Sequence, residues 1–432
     1  MRHFSSSVYE YLVNEEERVC TDIDDQACRE TPRNFLLILA TYLATKLGDA
    51  LASPKTVLPW VLNAIAAPSF FTGLVVPIRE AGSMVPQLFI AAKIRQLSIR
   101  KWAYVLGCIA QAVSMGGIAA TAYLANGAFA GWLIILLLTI FSLSRGVCSI
   151  ASKDVLGKTI PKRRRGRLTG WASSGAGLIS MSVGLGFILF PSSKGDQDLG
   201  LLIAAAAALW ILAAVIYRFV VEYPGETSGG ANAWGEAWER LSILRSDVAF
   251  RRFVIVRALL LSSALSGPYY ILLAQRQLGQ QLSTLGWFIA AAGAASLISA
   301  PVWGQFADRS SRRVMQFSAA IVSVLGIAVI GLYASDSSLL GRFWLIPALY
   351  FVLSIAHAGA RVGRKTYVVD LAKGNKRTDY VAVSNTVIGL LLLLIGLVSA
   401  LLSMKSLLLS FIAFTAMSIS ALLLANWLPE AE

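Results

Sequence analysis

Apolar stretches of about 20 residues, the length a helix needs to cross a bilayer, recur twelve times along this 432-residue chain. They fall at 34–54, 69–92, 102–123, 131–152, 168–190, 199–221, 252–273, 285–304, 314–334, 343–366, 380–402 and 406–428. No soluble core holds that much apolar helix. Only 14% of the residues are charged, against about 25% in soluble domains. Lipid offers no partner for an unpaired peptide group, so each stretch must be a helix. The expected fold class is an all-α membrane protein of twelve transmembrane helices.

The net charge of +14 would suggest nucleic acid in a soluble chain. Here the basic residues cluster in alternate short loops, which marks topology instead and argues against a nucleic-acid partner. With the N-terminus inside, the inner segments hold Arg95, Arg100, Lys101, the run Lys162 to Arg167, Arg309, Arg312 and Arg313, among others. The opposite side holds only Lys55, Lys194, Arg276, Arg342 and Lys405. A bias of roughly five to one places both termini in the cytoplasm, and a bacterial inner membrane is the expected location. The N-terminal segment 1–33 is polar and acidic, unlike a secretory leader. Cys20, Cys28, Cys108 and Cys148 form no disulfide framework, and no metal site is expected.

Four regions follow: a tail at 1–33, a six-helix bundle at 34–221, a linker at 222–251 and a second bundle at 252–432. Trp234, Trp238, Leu241 and Leu244 stand at helical spacing in the linker, which predicts an amphipathic surface helix. The halves repeat. Arg145 and Asp154 recur as Arg361 and Asp370 at one shared offset, and Pro86 recurs as Pro301 at almost the same offset, close to half the chain. Parallel six-helix repeats with the solute site between them are an established transporter plan.

The loop after span eight reads Gly304-Gln305-Phe306-Ala307-Asp308-Arg309-Ser310-Ser311-Arg312-Arg313. It resembles the G-x-x-x-D-R-x-G-R-R signature of the major facilitator superfamily, with Ser311 in place of the last Gly. Asp154 to Gly170, with Pro161, Arg163, Arg165, Gly166 and Arg167, is similar to the basic loop after that family's fourth helix. The corresponding loop of the first half, Lys93 to Lys101, keeps only the basic end. The resemblance implies two bundles related by a pseudo-two-fold axis. It also implies a cytoplasmic gate in which Gly304, Asp308, Arg309, Arg312 and Arg313 work with Asp370, and Asp154 in the first half. Charge pairs at such an interface are made in one rocking state and broken in the other. Span five is rich in Gly and Ser, from Gly170 to Gly186, which reads as close helix packing. It lacks the Gly-Pro pair of the family's antiporter signature.

Ionisable residues inside the spans are costly unless paired or facing water, so each is a candidate for function. In the family's fold, helices one, four, seven and ten line the central cavity, and here these carry Lys46, Arg145, Arg257 and Arg361. The deep acids are few: Asp49, one helical turn from Lys46, and Glu80 beside Arg79. Asp49 is either a structural partner of Lys46 or a proton carrier, and Glu80 faces the same choice. A basic surplus favours an anionic solute, because guanidinium groups match carboxylate and phosphate geometry. His357, Arg361, Arg364 and Lys365 form one stripe of span ten. Tyr269 and Tyr270 offer hydroxyls beside Gly267-Pro268, where span seven is expected to bend.

No G-x-x-x-x-G-K-[ST] loop exists to grip ATP, and two histidines cannot build an H-E-x-x-H metalloenzyme. The chain is therefore read as a non-enzymatic secondary transporter without cofactors, working as a monomer in lipid. The expected activity is proton-coupled movement of a small organic anion by alternating access. Alternatives are proton-driven efflux of cationic or lipophilic drugs through Asp49, and a non-transporting assembly factor on the same fold.

Overall fold

The computed structural model describes residues 25–190, 196–225, 227, 242–371 and 376–430, and every regular element among them is helical. Nine helices are long and apolar enough to cross a membrane among these residues. The bent pair Ser69–Met84 and Phe89–Arg95, turned by 41° at its break, makes a tenth. Spans one and seven complete the twelve, and both are interrupted. Leu106, Val113, Leu136, Val324 and Leu394 stand on the outside, each more than half exposed. Only lipid can cover such a surface.

Span one differs most from its expected bounds. It reaches back to Asp25, inside the segment read as a tail, because Ala27 and Thr31 are buried and the Thr31 hydroxyl reaches Thr159 O of span four. Nor does it end at residue 54. The helix Asp25–Leu51 stops, the chain turns through Ser53-Pro54, and the helix Val57–Ala64 carries on to the far side. Proline lacks the N–H that would continue the ladder and pushes the preceding residue out of the helical region. Lys55, expected in an outer loop, therefore lies within the span.

Span seven breaks twice, giving Val248–Leu259, Ser262–Leu265 and Gly267–Leu278. Its second break, before Pro268, is the predicted bend. The remaining spans are Lys101–Leu124, Gly127–Thr159, Lys162–Leu189, Asp196–Tyr217, Leu282–Arg309, Ser311–Ala334, Leu345–Leu371, Lys376–Lys405 and Leu407–Ala425. Trp234, Trp238 and Leu241 of the expected linker helix lie outside the described residues, and Leu244 sits in the one-turn helix Ile243–Ser246.

Each half is tied at its inner end, the end where spans six and twelve finish. Asn34 exchanges two hydrogen bonds with the Val221 backbone, 2.9 Å each. Glu222 accepts from the backbone N–H groups of Arg100 and Lys101 and from Lys158 Nζ, at 2.7 to 3.0 Å. That carboxylate satisfies donors a helix start leaves without partners. In the second half Arg312 binds Glu430 at 2.6 Å and Leu428 O at 2.9 Å. Cys108 and Cys148 are free thiols with sulfurs 3.9 Å apart, whereas Cys28, read as a thiol, is disulfide-bonded.

The halves meet along two seams, span five on span eight and span two on span eleven. Any β-carbon at Gly184 or Gly293 would run into the backbone of the facing helix, at Ala290 and Met181 respectively. Gly73 likewise lies against Ala400, and Gly396 against Pro77. Of the small residues noted in span five, Gly177 and Gly184 serve this approach, whereas Gly170 and Gly186 face open space.

Candidate functional site

Between the halves lies a cavity of about 690 Å³. Its deep end is at Lys55, Ala264 and His357, and its lining runs to Lys153, Lys365 and Val369 near the inner ends of spans four and ten. The outer side is shut. Ser69 and Ser403 hydroxyls bond each other's backbone carbonyls at 3.2 and 3.3 Å, and Gln275 Nε2 donates to Trp60 O at 3.3 Å. The conformation is inward-facing, taking the basic side as inside.

The two breaks meet at the cavity's deep end. A β-carbon at Gly267 would stand 3.4 Å from Lys55 Cβ. Pro54 and Pro268 are separated by nearly the same offset that relates Pro86 to Pro301. Interrupted helices at matching positions of two halves point to a binding region, because unwound backbone survives at membrane depth only where it is buried in protein or lines a cavity.

Eight Lys or Arg side chains line the space against two carboxylates, Asp49 and Glu80. Those two acids are already engaged. Asp49 receives Arg79 at 2.6 Å and lies 3.8 Å from Arg145; Glu80 lies 3.9 Å from both guanidinium groups. Arg79 sits behind the wall, 4% exposed, with its guanidinium 5.2 Å from the centre of the Phe141 ring. The four charges form a closed, neutral ring in the first half.

The other seven lining cations have no carboxylate within 4 Å among the described residues: Lys46, Lys55 and Lys153 from the first half, Arg257, Arg361, Arg364 and Lys365 from the second. Arg257 is buried and held by neutral groups, Ser384 Oγ and Asn385 Oδ1, the latter at 2.8 Å. His357 Nδ1 lies 3.1 Å from Ser263 Oγ. No cluster able to hold a metal occurs among the described residues.

Lys46, Asp49, Glu80, Arg145, Arg257, His357 and Arg361 are thus brought to one space, with Arg79 supporting them. The expected pairing of Asp49 with Lys46 is replaced by its contacts with Arg79 and Arg145. Tyr269 and Tyr270 do not reach the cavity. They pack in the outer seal, with ring centres 5.2 Å from Phe414 and 5.3 Å from Phe411, because the break before Pro268 carries them past the opening.

The charges expected to form the gate do not pair with one another across the two halves among the described residues. Asp308, Arg309 and Arg313 make no ion pair among the described residues, and Gly304 has open space around it. Arg312 pairs with Glu430 of its own half, Asp154 with Arg100 at 3.1 Å, and Asp370 lies 3.5 Å from Ser311 Oγ.

Solved structures share this architecture over nearly the whole chain. The D-xylose-proton symporter matches at a TM-score of 0.69 and 14% identity, covering 92% of this chain and 98% of that one. The inward-open xylose transporter XylE from E. coli matches at 0.66 and 12%, covering 92% and 96%. The nucleoside transporter NupG matches at 0.65 and 14%, covering 91% and 98%. The family model of the Major Facilitator Superfamily matches residues 258–432. The second half thus matches this family by sequence, and the whole chain shares the fold of the solved transporters. No curated protein matches it by sequence.

The loop from Gly304 to Arg313 lies in the half that the family model matches, while the first half keeps the fold with a divergent loop. Of the lining cations, sequence reasoning put Lys55 in an outer loop and did not single out Lys153. The positive-side tally hid Lys55, but Ser53-Pro54 and Gly267-Pro268 at one repeat offset were a visible signal.

Proposed function

We propose that this transporter moves a small organic anion across a bacterial inner membrane, coupled to protons, with both termini in the cytoplasm. The observation that carries the reading is the seven lining cations without carboxylate partners. Charges taken from water are costly unless matched, and an anion entering between the halves supplies the match. The cations come from both halves, so a bound anion draws the bundles together, as alternating access requires. Asp49 and Glu80 are the proposed proton carriers: protonating either loosens the ring and frees Arg145 for solute. Efflux of cationic drugs is disfavoured by the same surplus, since both acids are already engaged by arginines.

The test is uptake into proteoliposomes. Labelled di- and monocarboxylates and phosphate esters are offered with and without an imposed pH gradient. Accumulation of an anion that collapses with the gradient supports the proposal. Uptake indifferent to the gradient removes the coupling, and transport of cations only removes the anion.

A further inference from the structure

Beside the main cavity lies a second space of about 210 Å³, lined mostly from the second half, with Ser53 and Lys55 from the first. Lys55, His357 and Arg361 line both. Lys55 and Arg361, with His357 beside them, form a basic threshold between a large basic vestibule and a small side chamber. Beyond them the lining changes character. Ser263, Ser296, Ser354 and Tyr350 bring hydroxyls, Ala292 and Ala295 bring small apolar surface, and no carboxylate takes part. The chamber has the volume of about seven water molecules at roughly 30 Å³ each.

A site of this form recognises a molecule in two parts. Several charge-assisted contacts at the threshold require a compact, multiply charged group, because a single carboxylate leaves the neighbouring cations unmatched. A hydroxyl-lined chamber requires a polar, uncharged body that replaces the hydrogen bonds of the displaced water. A cationic body would meet Lys55 and Arg361 at its entrance. We infer that the solute is a small polyhydroxylated dianion lying across Lys55, His357 and Arg361, with its charged head in the main cavity and its hydroxylated body in the side chamber. This rests on the anion reading above and narrows it to a substrate class. Head groups of phosphate or dicarboxylate type share the required chemistry.

The test measures binding to the purified full-length protein by thermal shift and calorimetry. Two matched pairs serve as probes: glycerol 3-phosphate against inorganic phosphate, and tartrate against malonate, with glycerol as the neutral body alone. In each pair that binds, the hydroxylated member is expected to bind at least about tenfold tighter, the worth of two or so net hydrogen bonds. Which pair responds identifies the head group. Filling the chamber with Ala292→Leu, or more mildly Ser296→Val, is expected to bring the two members of that pair to equal affinity. The unliganded melting temperature reports whether each variant folds. Equal affinities in the unaltered protein, or a preference that survives both variants, overturn the two-part site while leaving the anion reading intact. Silence from all four anions overturns both.

Discussion

Asp49 accepts a 2.6 Å hydrogen bond from the guanidinium of Arg79, which is almost wholly buried behind the cavity wall. Asp49→Asn leaves that arginine with Glu80 at 3.9 Å as its remaining carboxylate. The expected cost is about 1–3 kcal/mol of stability, the penalty for under-satisfying a buried charged group. A detergent melting curve indistinguishable from that of the unaltered protein would remove Arg79 as a structural anchor.

Arg145 differs, being a third exposed and facing the cavity across longer contacts. Arg145→Ala should change stability by no more than about 1 kcal/mol, as for other solvent-accessible ion pairs. Anion uptake should fall by at least tenfold, which is about 1.4 kcal/mol. Unimpaired uptake by a well-folded variant strikes Arg145 from the site.

Asp308 makes no ion pair among the described residues in the inward-facing state. Asp308→Asn therefore weakens only the state in which the inner mouth closes. A loss of about 1 kcal/mol there shifts the population roughly fivefold toward the inward-facing form. A cysteine placed at Val369 inside the mouth should then react faster with a thiol reagent applied from the inner side. An unchanged rate argues against a gating role for the loop after span eight.

Glu222 receives three donors with its carboxylate fully buried. Glu222→Ala leaves the first turn of span three without its acceptor while Lys158 turns toward water. A destabilisation of about 2–3 kcal/mol is expected, read as a lowered melting temperature with anion specificity retained.

The architecture was legible because a bilayer imposes one rule on every apolar stretch. Spans three to six and eight to twelve consequently overlap their expected stretches along most of their length. Span one was misjudged at Pro54, where the cue that ends a helix in water only interrupts one at membrane depth. That error moved Lys55 from the cavity to an imagined loop. Arg145 and Arg361 were found through the repeat, which the cavity obeys. Tyr269 and Tyr270 were not separable from the lining by sequence, since a break redirects whatever follows it by an amount only packing determines. The engagement of Asp49 by Arg79 was equally invisible, because it joins residues on different spans.

The glycines at the joint between spans five and eight carry one more implication. Gly184 and Gly293 press main chain on main chain, so at those two points no side chain has a rotamer to reset if the bundles tilt. The joint behaves as a bearing, with little intrinsic preference for either end of its swing. The balance is then left to what occupies the middle: empty, the opposed cations of the two bundles push the mouth apart, and a bound counter-charge cancels that push. On the proposed reading, cargo itself would be the spring that resets the machine.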